Sequence, residues 1–230
     1  MSSQSSHQEC QNYEECKKVA LDRLRDAIVL FKAERYTGTL YMAGYVIEIG
    51  IKAEFFRLAN KRISFNGDKL KDIMEYLTEK ASPKKSFKNW LDIFSFPPKT
   101  LNELFIFLER ITEFYSSVKE TSRFKVITQN RYPKENEGSF HDIKRFYEEL
   151  KGWKKILEED DFGSKTYNIK DWKVEIRYSY PSEITLEDAK QALETALNFL
   201  KDVLKMENEL GKIREELELT NQEPESINIY

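Results

Sequence analysis

Arg35-Tyr36-Thr37-Gly38-Thr39-Leu40-Tyr41-Met42-Ala43-Gly44-Tyr45-Val46-Ile47-Glu48-Ile49-Gly50-Ile51-Lys52 is the stretch on which the fold turns. Leu40, Gly44, Ile47, Ile51, Phe55 and Leu58 recur at steps of three and four, which places them on one stripe of a helix. Gly44 and Gly50 remove side chains from that helix, so another backbone can approach it. Tyr45, Glu48 and Lys52 fall at i, i+3 and i+7 and share a face beside the stripe. Thr37 or Thr39 is positioned to open the helix, which should end near Asn60.

Outward from this segment the pattern stays helical. Asn12 with Glu15 caps a first helix whose Leu21, Leu24, Ile28 and Phe31 run towards Arg35. The short connection predicts an antiparallel hairpin with the second helix, its glycines allowing close contact. Asn66 and Asp68 start a shorter helix through Leu70, Ile73, Met74 and Leu77. Phe87, Trp90, Leu91 and Phe94 suggest another, stopped by Pro97-Pro98. Thr100 with Glu103 reads as a capping box, and Ser139 with Asp142 as a second, before Ile143, Phe146, Tyr147, Leu150, Trp153 and Leu157. Between them, Lys119 to Gly138 reads as a loop. Val174, Ile176, Tyr178 and Tyr180 alternate with polar residues, the two-residue period of an extended segment. Thr185 with Asp188 then caps a long final helix, read as continuing past Gly211.

The whole is read as an all-α bundle of four to five core helices with a helical insertion. Its parts are a polar tail (1–11), the first two core helices (12–63), the insertion (64–139), the remaining core helices (140–219) and a second polar tail (220–230). At 230 residues the chain can bury a sizeable core. With 33% charged residues and no apolar run near the roughly 20 needed to span a bilayer, no membrane segment is expected. Cys10 and Cys16 alone suggest no disulfide framework, and a reducing cytoplasm fits best.

The net charge of −3 argues against indiscriminate nucleic-acid binding by the whole chain. Charge is nonetheless uneven. Residues 80–99 hold five lysines against Asp92 alone, and residues 207–225 hold seven glutamates against Lys212 and Arg214. Lys84, Lys85 and Lys88 beside Phe87 and Trp90 have the chemistry of single-strand binding, although the same aromatics have ordinary core spacing. Arg123, Lys125, Arg131 and Lys134 form a second basic run. No glycine-rich phosphate loop supports an ATPase or kinase. His7, Cys10 and Cys16 match no zinc pattern, so neither metal nor cofactor is expected.

Three stretches together resemble a HEPN domain, the helical family of higher eukaryote and prokaryote nucleotide-binding proteins. Arg35-Tyr36 through Ala43-Gly44-Tyr45-Val46-Ile47-Glu48 to Lys52-Ala53 is similar to the family's second helix. Phe140-His141-Asp142-Ile143 with Phe146 is similar to the opening of its third. Trp172 through Arg177-Tyr178, then Thr185 to Leu204, resembles the element preceding its last helix. Many family members are ribonucleases with a composite site across a dimer, built on an Arg followed after four to six residues by His. Here Ser182, Glu183 and Ile184 stand where that His would follow Arg177, and the nearest Arg before His141 is Arg131, ten positions away. Serine cannot supply an imidazole's titration near neutral pH.

The resemblance therefore implies a module working by association, as a homodimer or with a nucleotidyltransferase-type partner, in prokaryotic stress response or defence. A toxin–antitoxin pair is one such setting, with nucleotide or RNA contacts through Tyr45, Glu48, Lys52, Trp172 and Arg177. Such a module should leave a sizeable apolar patch around Tyr41, Tyr45 and the final helix. The alternative is a divergent metal-independent ribonuclease in which paired Arg177 side chains stabilise phosphate while Tyr178, Tyr180 or His141 replaces the missing histidine. Bland readings stand beside both: Arg177 as an ion-pair partner of a carboxylate such as Glu48, Glu48 with Lys52 as a surface pair, and His141 as an exposed first-turn residue.

Overall fold

The computed structural model describes residues 10–79, 98–110, 143–159 and 184–219. Among them are seven α-helices and no strand: α1 (Tyr13–Lys32), α2 (Tyr36–Asn60), α3 (Gly67–Glu79), α4 (Leu101–Arg110), α5 (Ile143–Ile156), α6 (Leu186–Leu204) and α7 (Glu207–Leu219). The all-α class is thus established for the described residues. The Phe87–Phe94 helix, the 119–138 loop, the Ser139–Asp142 cap and the Trp172–Tyr180 segment lie outside them.

The residues form two compact units. One comprises 1–16 with 51–163, the other 17–50 with 164–230, so α2 supplies residues to both.

In the first unit the centre is Trp153 of α5, fully buried. Tyr76 of α3 meets its ring at 5.1 Å and Phe105 of α4 at 5.8 Å, both edge-on, the geometry favoured by the aromatic quadrupole. Phe55 of α2 packs edge-on to Phe146 of α5. The stripe Ile143, Phe146, Tyr147, Leu150, Trp153 and Leu157 is buried as its spacing requires. Gly152 is needed beneath Tyr76, because a Cβ there would sit 3.0 Å from the Tyr76 Cζ. Burial, with the charge of Glu149, pushes the Tyr76 phenol upward. Between α2 and α4 the backbones of Arg62 and Thr100 make an isolated bridge, with the Ile63 N–H donating to the Lys99 carbonyl at 2.8 Å.

Cys10 and Cys16 are joined to each other, their Cα atoms 5.2 Å apart. This local clasp spans the start of α1 and is no framework. Asn12 caps that helix, accepting the Glu15 N–H at 3.0 Å, and Glu15 accepts the N–H of Gln11.

In the second unit α1 ends where Glu34 takes φ 57°, and the Arg35 N–H donates to the Leu30 carbonyl. At this turn a Cβ on Gly38 would come within 3.2 Å of Leu30 Cδ1, and the Phe31 and Tyr36 rings lie 6.1 Å apart. The second helix opens one residue before Thr37. Thr39 sits in its first turn, buried, with its hydroxyl donating back to the Arg35 carbonyl. Gly50 of α2 lies under Phe199 of α6, where a Cβ would come within 2.8 Å of the ring.

The Thr185–Asp188 capping box is complete and opens α6 as its sequence requires. The Thr185 hydrogen bonds hold the exposed Asp188 carboxyl below the usual range. Ala189, Leu193, Ala196, Leu200 and Val203 form its buried stripe. The long final helix is broken, however. Lys205 takes the left-handed conformation, φ 54° and ψ 41°, and its N–H returns to the Leu200 carbonyl. Met206 is thereby buried and α7 begins afresh at Glu207, with Leu210 and Ile213 also buried. Neither Gly nor Pro marks this stop.

Candidate functional site

Residues Trp172, Arg177, Tyr178 and His141 lie outside the described residues. Tyr45, Glu48 and Lys52 are all on α2 and all half-buried. Tyr45 is paired with Tyr41 one turn earlier: the rings are edge-on at 5.0 Å and the Tyr41 hydroxyl donates to that of Tyr45 at 3.1 Å. Glu48 follows one turn later on the same face.

Around Tyr41 and Tyr45, the apolar residues Tyr36, Leu40, Met42 and Ile49 of α2 are half-buried as well. Each tyrosine covers part of the other. Among the described residues the most exposed large hydrophobic side chains, Val29, Ile106 and Leu186, stand on three different helices, and singly exposed apolar residues carry no functional implication.

A second polar constellation sits at the end of α2 within the first unit, and the sequence reading missed it. Glu54 is 1% exposed, and burying its carboxylate without partners would be costly. Arg57, one turn on, donates from Nε to one of its oxygens at 2.7 Å and from Nη2 to the other at 2.8 Å. Lys154 of α5, 7% exposed, places its ammonium 2.8 Å from Glu54 Oε1.

Arg57 continues outward to Glu159, which also receives the ammonium of Lys61. Glu159 reaches this position through a turn in which Glu158 takes φ 52° and the Glu159 N–H donates to the Lys154 carbonyl at 2.9 Å. Burial opposes the charge of Glu159, but the hydrogen bonds and charges of Arg57 and Lys61 outweigh it and bring the carboxyl down to about 2. For Arg57, burial likewise opposes the charge, and the bonds to Glu54 and Glu159 reverse the balance and raise it. Alongside, Lys69 of α3 donates to the Ile156 carbonyl at 2.8 Å and to exposed Glu158 at 2.6 Å, which lowers the Glu158 carboxyl.

The available signal was Glu54 itself. Flanked by Ile51, Ala53, Phe55 and Leu58, a carboxylate in an apolar turn demands a cation. Its partner Lys154 is one hundred positions away, out of reach of any argument from helical spacing.

Among the described residues no group of three His, Cys, Asp or Glu side chains could hold a metal ion, and no helix is long and apolar enough to cross a membrane. Comparison of the chain with family models, characterised proteins and solved structures finds no match.

Proposed function

We propose that this chain is a HEPN-like helical module that works by association, as a homodimer or with a nucleotidyltransferase-type partner. Its setting is the prokaryotic cytoplasm, in stress response or defence of the toxin–antitoxin kind, and nucleotide or RNA contacts accompany the association. The resemblance carried by residues 35–53, 140–146 and 172–204 motivates the family.

The observation that carries the mode of action is the Tyr41–Tyr45 pair on α2. Two half-buried aromatic rings with hydrogen-bonded hydroxyls, next to Glu48, make an amphipathic surface of the kind enriched in non-obligate interfaces. Contact through polar-tipped rings fits a transient complex better than an obligate dimer.

Sedimentation velocity of the full chain across micromolar concentrations tests this. Wild type is expected to self-associate or to retain a co-purified protein, and Tyr45→Arg is expected to weaken that association by about tenfold or more. A wild type that stays monomeric and carries no partner overturns the reading. RNA cleavage abolished by Arg177→Ala in a folded chain would replace it with the ribonuclease alternative.

A further inference from the structure

The charges at the end of α2 divide unequally between inside and outside. Glu54 and Lys154 are a buried, mutually neutralising pair. Arg57 also grips Glu54 through Nε and Nη2, so the cluster sets three cations, Lys154, Arg57 and Lys61, against two carboxylates, Glu54 and Glu159, and without Glu159 it would hold three against one. Arg57 and Lys61 reach the surface, with 32% and 39% of their side chains exposed, whereas Glu159 is only 11% exposed. The guanidinium addresses both Glu159 oxygens, Nη1 to Oε1 at 3.2 Å and Nη2 to Oε2, while the ammonium takes Oε1.

A planar fork beside a point charge, one helical turn apart, is the donor set that binds a phosphoryl group. Its charge also matches a dianion better than the monoanion it holds. The occupant is not part of a helix: Glu159 lies three residues beyond the last residue of α5, brought back by the left-handed Glu158. The C-terminal end of α2 favours cations at these positions.

We propose that Arg57 and Lys61 form a binding site for a phosphate dianion, and that Glu159 occupies it as an internal stand-in. This stands on the geometry of the first unit and is independent of the family resemblance.

The test is thermal unfolding of the full chain in phosphate against chloride at matched ionic strength, since a ligand bound only by the folded state raises its melting temperature. Wild type is expected to respond weakly. Glu159→Gln is expected to bind inorganic phosphate about tenfold tighter or better, and Glu159→Gln with Lys61→Gln to lose that gain. Adenosine monophosphate in a parallel series separates the two sources of the group. Tighter binding than phosphate assigns a nucleotide, and equal binding assigns the free anion. A folded Glu159→Gln chain with wild-type phosphate affinity, or with affinity unchanged by Lys61→Gln, overturns the proposal. If Glu159→Gln does not fold, Glu159→Asp, whose shorter arm withdraws the carboxylate, takes its place under the same criteria.

Discussion

Replacing Lys154 by Met tests whether the buried pair on α2 and α5 is held by charge or merely accommodated. Lys154→Met keeps the length and apolar stem of the side chain but removes the ammonium 2.8 Å from Glu54, a carboxylate 1% exposed. Breaking a buried pair by deleting one partner typically costs about 3–5 kcal/mol, because the remaining charge stays desolvated. Arg57 softens the loss. Its two bonds to Glu54, at 2.7 and 2.8 Å, are untouched, and each charge-assisted bond is worth roughly 1.5–3 kcal/mol. The expected net loss is therefore about 2–3 kcal/mol, or roughly 5–10 °C in melting temperature for a chain of this size.

Circular dichroism during heating and a urea titration both measure it. The decisive comparison is the double-mutant cycle with Glu54→Gln: because either change removes the Lys154–Glu54 interaction, the double variant should lose less than the sum of the two single losses, by about 1 kcal/mol or more. A Lys154→Met loss below about 0.5 kcal/mol, the scale of a surface pair, would refute the reasoning, as would single losses that add within about 0.5 kcal/mol in the double variant.

Other outcomes follow from the same packing and charge arguments. Gly50→Ala gains up to about 1 kcal/mol of helix propensity but drives a Cβ to 2.8 Å from the buried Phe199 ring, so a net loss of about 1–2 kcal/mol is expected by urea unfolding. Thr185→Ala removes the hydroxyl that accepts the Asp188 N–H and should cost about 1 kcal/mol, visible as faster amide exchange in the first turn of α6. Acid should destabilise the first unit through Glu159. Its folded carboxyl lies near 2 against an ordinary 4.5, so its contribution is complete above the ordinary value and is lost as pH falls from there towards 2. Melting temperature plotted against pH should fall less steeply across that window in Glu159→Gln than in wild type.

What could be read from the chain alone was whatever is local. The α5 stripe, the Asn12 and Thr185 caps and the starts of α3 and α4 each depend on residues within one or two turns of one another. For α4 the reading was close: Thr100 accepts the Glu103 N–H, but the reciprocal bond to Glu103 comes from Lys99 rather than from Thr100. The break at Lys205 escaped because a lysine in the left-handed conformation carries no mark in the sequence, and the burial of Met206 that favours it is a tertiary effect. The Glu54–Lys154 and Arg57–Glu159 pairs escaped for a similar reason, since their members are separated by most of the first unit's length. Of the candidate site residues, Tyr45, Glu48 and Lys52 lie on α2, the one helix their spacing was read from. Their partial cover was not foreseeable from helical spacing, which records direction and says nothing of how neighbouring side chains lean on one another.

The junction at Trp153 has an optical consequence. An indole walled off from solvent emits to the blue of a hydrated one, and here the wall is contributed by α3 and α4 through Tyr76 and Phe105. With Trp90 and Trp172 exchanged for Phe, the single remaining tryptophan, excited at the red edge where tyrosine does not absorb, would report the docking of those two helices on α5, while circular dichroism reports helix content everywhere. Where the two signals part company during a denaturant titration, the first unit is losing its packing before its helices.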